Sequence, residues 1–94
     1  MTTLATRLRS LGDLEGFDIE VLDQNGNVVD PKTNGFAKYD FDRRANSNTT
    51  VSEWKEKRFK VAYPGYSCRV LNSDGTEARG NTKLESVRES YEEQ

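Results

Sequence analysis

Gly16-Phe17-Asp18-Ile19-Glu20-Val21 alternates apolar and acidic side chains, and a period of two belongs to a strand with one buried face. Gln24-Asn25-Gly26-Asn27 follows, and Asn-Gly is the strongest short hairpin signal because both residues tolerate positive φ. Val28 and Val29 therefore begin a return strand, and Pro31 and Gly35 bound the loop beyond it. Residues 36–41 read as a third strand with Ala37, Tyr39 and Phe41 on one face. Upstream, Leu4, Leu8 and Leu11 recur at helical spacing. Thr2 or Thr3 can cap that helix and Gly12 can end it.

Residues 43–49 are polar and irregular, and Asn46-Ser47-Asn48-Thr49-Thr50 is expected to be the most mobile run. Thr50-Val51-Ser52-Glu53 has the form of a capping box, in which the Thr50 hydroxyl accepts from the helix and Glu53 reaches back. From there to Ala62, helical geometry gathers Val51, Trp54, Phe59, Val61 and Ala62 within an arc of about 160°. A strand over 59–63 turning at Pro64-Gly65 is the competing reading, and the capping box favours the helix. Tyr66, Cys68 and Val70 alternate with polar residues as a strand, Asn72-Ser73-Asp74-Gly75 turns the chain, and 76–79 return. Thr82-Lys83-Leu84-Glu85 is a second capping box, and Leu84, Val87 and Tyr91 line one face of a last helix whose residues 92–94 are expected to fray.

The expected fold is a single α+β domain over 1–94, ordered α-β-β-β-α-β-β-α, with a mainly antiparallel sheet and the helices packed on one face. The expected core takes Leu4, Leu8, Leu11, Phe17, Ile19 and Val21 from the first helix and strand. Val29, Tyr39, Phe41, Val51, Trp54 and Val61 come from the middle of the chain. Tyr66, Cys68, Val70, Leu84, Val87 and Tyr91 complete it. The halves also echo each other. Residues 16–23 align with 65–72, and Asn25-Gly26 aligns with Asp74-Gly75 without a gap. A pseudo-twofold domain with a site at the join is one reading. Turn chemistry reached twice is the other, since it demands most of the shared residues.

Composition narrows the class. At 94 residues the chain has room for one domain with a thin core, which a homodimer partner would supplement. Nine aromatics argue against disorder. One cysteine excludes an intrachain disulfide, and no leader or membrane-length apolar run is read, so the expectation is a cytoplasmic protein without membrane contact. The net charge of −2 gives no global pull toward nucleic acid. Its distribution is uneven, because residues 37–60 carry seven basic and four acidic side chains between acidic flanks.

Catalytic chemistry finds no foothold in the residue types. No histidine is present, which removes the usual acid–base group and the commonest zinc ligand. Cys68 reads as a small buried hydrophobe, and every Asp and Glu reads as lying on a solvent face, in a turn or in a cap. No phosphate loop occurs, and no cofactor or metal site is expected. The candidate binding residues are Arg43, Arg44, Trp54, Lys55 and Arg58, from the basic segment with interleaved aromatics. The leading expectation is a non-enzymatic module that binds a protein partner or a second copy of itself. A nucleic-acid-binding or regulatory protein using residues 43–60 is the alternative, and a carboxylate enzyme comes third.

Overall fold

Thr3 starts helix α1 (Leu4–Glu15) by accepting a bond from the Thr6 amide. In the computed structural model, which describes residues 2–92, that helix runs past Gly12 and ends at Gly16, whose φ of 88° lies in the left-handed region. The Gly16 amide closes the helix on the Gly12 carbonyl. Gly12 serves a different purpose from the expected stop. A Cβ there would stand 3.2 Å from the Phe17 carbonyl oxygen, so the missing side chain lets the next strand fold back closely.

Strands β1 (Asp18–Leu22) and β2 (Ser67–Leu71) pair antiparallel, with Ile19 opposite Val70, Glu20 opposite Arg69 and Val21 opposite Cys68. Ile19, Val21, Cys68 and Val70 are buried, while Glu20 and Arg69 form a 3.7 Å ion pair on the outer face. These two strands are the whole sheet among the described residues. The expected α-β-β-β-α-β-β-α order is therefore corrected to α-β-α-β-α. The segments expected to return as strands each make one isolated bridge, Leu22 with Val28 and Leu71 with Glu77. Pro31 and Gly80 cut both returns short. Residues 36–41 form no strand at all. Both sheet edges are already taken there, by Val29 N–H on Val21 O and by Ala78 N–H on Val70 O. The alternating aromatics of 36–41 pack as rings instead: Tyr39 lies 4.9 Å from Phe41 and 6.5 Å from Trp54, and Phe36 lies 5.9 Å from Tyr63.

Helix α2 spans 51–62 and starts with the Thr50–Glu53 capping box. Its middle, Lys55–Phe59, is a π-helical turn. The extra residue in that turn brings Trp54 and Phe59 onto one face, and both are fully buried. It also rotates the last turn of the helix, so Tyr63 points inward and Val61, expected in the core, is 67% exposed. The outer face carries Glu53–Lys57 and Glu56–Lys60 ion pairs at 3.8 and 2.7 Å. Helix α3 (Leu84–Glu92) begins without the expected Thr82 cap. Its first amides donate to the Thr49 and Ser47 carbonyls, which also ties down the polar run expected to be mobile. Residues 93 and 94, expected to fray, lie outside the described residues.

One apolar cluster joins α1, the sheet, α2 and α3. Ala45, Phe59, Tyr63 and Ala78 enter this core beyond the expected set, while Tyr66 does not. The halves repeat each other in hydrogen bonds as well as in residues. Asp23 N–H to Asn27 O, Gly26 N–H to Asp23 O and Val29 N–H to Val21 O recur as Asn72 to Thr76, Gly75 to Asn72 and Ala78 to Val70. The helix starts recur too. Leu4 and Ala5 amides bond the Thr33 and Pro31 carbonyls, as Val51 and Ser52 bond Thr82 and Gly80. Turn chemistry demands the first set but not the second, so the chain folds as two like units about a pseudo-twofold axis between Glu20 and Arg69.

Candidate functional site

Four of the five candidate residues gather at the C-terminal end of α1, around an acid expected on the surface. Glu15 is fully buried. Its carboxylate accepts from Tyr39 Oη at 2.6 Å, the Ala45 amide at 2.8 Å, Arg58 at 2.9 Å and Arg88 at 3.1 Å. Burial alone would push this carboxyl up. The Tyr39 and Ala45 donors and the Arg58 charge outweigh that and hold it below its ordinary value. Arg58 also donates to the Arg43 carbonyl and lies 4.6 Å over the Phe41 ring. Arg44 donates to the Leu14 carbonyl, placing a cation at the negative end of the helix dipole.

These contacts set what the basic segment can offer a partner. Trp54 is 0% exposed and its ring presents no face to solvent. Arg58 is committed to Glu15, and Lys55 is half-buried. Arg43 and Arg44 are exposed. Cys68 is buried, and its thiol is pushed up to about 12, chiefly by burial, with Lys55 pulling weakly the other way. Among the described residues, no three of Asp, Glu, Cys and His converge on a point that could hold a metal.

Open surface of mixed polarity, with Thr33 and Asn34 beside the rings, lies at the opposite end of the sheet. A groove of about 250 Å³ runs between Phe36, Ala37, Ala62, Tyr63, Pro64 and Tyr66. A second of about 280 Å³ continues it along Asp23, Gln24, Asn25 and Gly65, and the two share Pro64 and Tyr66. Tyr66 is 37% exposed and meets the Phe36 ring at 5.0 Å. Its counterpart in the first unit, Phe17, is 2% exposed. The Tyr63 hydroxyl is buried without a hydrogen-bond partner among the described residues, and burial raises its pKa while the Arg7 charge opposes the rise. Arg7 donates to the Phe36 carbonyl at 3.1 Å and makes no ion pair among the described residues.

Sequence reading missed this groove because it assigned Tyr66 to the core. The signal that could have found it is the half-repeat itself. The second unit runs on into a helix after Thr82, and the first runs into Gly35 after Thr33-Asn34. No protein-family model, curated protein or solved structure matches the chain.

Proposed function

We propose that the chain is a non-enzymatic protein-binding module whose contact surface is the groove around Tyr66. The observation that carries this reading is the contrast between equivalent positions: Phe17 is buried against the Trp54 ring and the Arg88 guanidinium of α3, while Tyr66 keeps over a third of its surface in water beside an open groove. Partly exposed tyrosine on a rigid scaffold is the residue type that anchors interfaces. Glu15, the one buried acid among the described residues, spends its lone pairs on four donors and has none to spare for acid–base work.

The partner is another protein or a second copy of the chain, and one substitution separates the groove from the basic segment. Sedimentation velocity of the chain alone and affinity capture with the immobilised chain are run for wild type, Tyr66→Asp and the Arg43→Ala/Arg44→Ala pair. The expected result is a complex weakened at least about tenfold by Tyr66→Asp and little changed by the arginine pair, with circular dichroism unaltered. A strictly monomeric wild type whose captured proteins are the same after Tyr66→Asp contradicts the reading.

A further inference from the structure

The turn that follows β1 carries chemistry of its own. Asn25-Gly26 stands at its tip, and residues 24–28 are all exposed. The Asn25 carboxamide makes no hydrogen bond among the described residues, and only the Asn25 backbone amide is engaged, by Asp23 Oδ1 at 2.8 Å. Gly26 has a φ of 83°, and a Cβ placed there would meet nothing within 4 Å. With no side chain on Gly26 and no neighbour over it, its amide nitrogen is free to close on the carbonyl carbon of the Asn25 side chain, a reaction partner held in the same chain. Closure must open one backbone bond, Gly26 N–H to the Asp23 carbonyl at 3.0 Å, and an exposed turn opens at little cost.

We propose that Asn25 is a site of spontaneous deamidation, whose product sets a second carboxylate beside Asp23 on the rim of the groove. The Gly26 nitrogen gives up its proton to solvent base and bonds to Asn25 Cγ, and ammonia leaves. Water then opens the succinimide ring. Cleavage at Cγ leaves aspartate, and cleavage at the main-chain carbonyl leaves isoaspartate. One water is taken up and one ammonia released, with no change of oxidation state. The site stands whether or not the groove has a partner.

The second unit shows what the product meets. Asp74-Gly75 holds the matching place, and its turn keeps the same backbone bonds, Asn72 N–H to Thr76 O and Gly75 N–H to Asn72 O. An aspartate therefore fits this turn. Thr76 takes up the Asp74 carboxylate through its amide at 3.1 Å and its hydroxyl at 2.6 Å. The matching residue of the first unit is Asn27, which has no hydroxyl and whose amide already donates to Asp23 Oδ1 at 3.0 Å. Neither donor is free for the new carboxylate. Asn34-Gly35 is another such pair, but it is pinned. Asn34 bridges Thr3, and the Leu4 and Ala5 amides start α1 on the Thr33 and Pro31 carbonyls, so turning Asn34 toward closure undoes a helix start.

The folded chain is aged at physiological temperature in buffers of rising pH, digested with trypsin and read by mass spectrometry, beside a synthetic peptide of residues 20–30. Trypsin places Asn25 in peptide 10–32 and Asn34 in peptide 33–38. Peptide 10–32 is expected to gain the amide-to-acid mass at Asn25 and to split into aspartate and isoaspartate forms. Its rate should rise with pH and exceed that of peptide 33–38. Asn25→Gln should suppress the gain. Asp23→Ala, which frees the Asn25 and Asn27 amides, should speed it several-fold and leave peptide 33–38 unchanged. No gain in peptide 10–32 while the synthetic peptide reacts to completion, a gain at Asn27 instead, or peptide 33–38 reacting first would overturn the proposal.

Discussion

Glu15 is the residue on which the closed half of the molecule depends. Two guanidiniums, a phenol and a backbone amide converge on a fully buried carboxylate, and removing one member of such a set leaves the others uncompensated. Glu15→Gln is therefore expected to cost about 3–5 kcal/mol in urea unfolding at pH 7. The pH dependence has a definite sign. The folded carboxyl titrates below its ordinary value of 4.5, so its contribution is whole above that value and is lost as pH falls through the lower folded one. The gap between wild type and Glu15→Gln should shrink over that acid window. Sequence pattern could not reveal this acid. With Gly12 read as the helix stop, Glu15 falls in a loop, and nothing local announces that Arg58 and Arg88, 43 and 73 residues away, will both reach it.

At the scale of elements, the legible features were local and the illegible ones depended on neighbours. The Thr50 box, the two paired strands and the outer ion pairs of α2 follow from spacing alone. The π-helical turn does not. A regular helix and one with a five-residue turn share the same residues up to Lys55, and only the fit of Trp54 and Phe59 into one core selects the wider turn. The two alternatives place Val61 oppositely, which makes a direct comparison. Val61→Asp should change stability by no more than about 0.5 kcal/mol, as for an exposed site. Phe59→Ala should cost about 3–5 kcal/mol. Denaturant unfolding of the two variants checks the register, and a large loss from Val61→Asp would restore the regular helix. The missing strands have a similar cause. Alternation at 36–41 is real, but a strand also needs a free edge, and edge occupancy is set by segments distant in sequence.

The whole molecule is two like units joined through one antiparallel pair and finished unequally. The likeness is legible in residues 16–26 and 65–75, since glycines and turn residues are fixed by backbone geometry. The inequality is harder to see. It rests on a single exchange, Gly35 against Leu84, which lets one unit start a helix and turns the other aside. That exchange leaves a sealed Phe17, and a half-open Tyr66 beside a surface groove. No helix among the described residues is long and apolar enough to cross a membrane. Hydroxyl-radical footprinting of the free chain tests this asymmetry most directly. Tyr66 and Val61 should oxidise readily while Phe17, Trp54 and Phe59 stay protected, although indole is intrinsically the most reactive of these groups. Oxidation of Trp54 ahead of Tyr66 would contradict the account, because it would open the end held shut by Glu15 and close the end at which Tyr66 stands exposed.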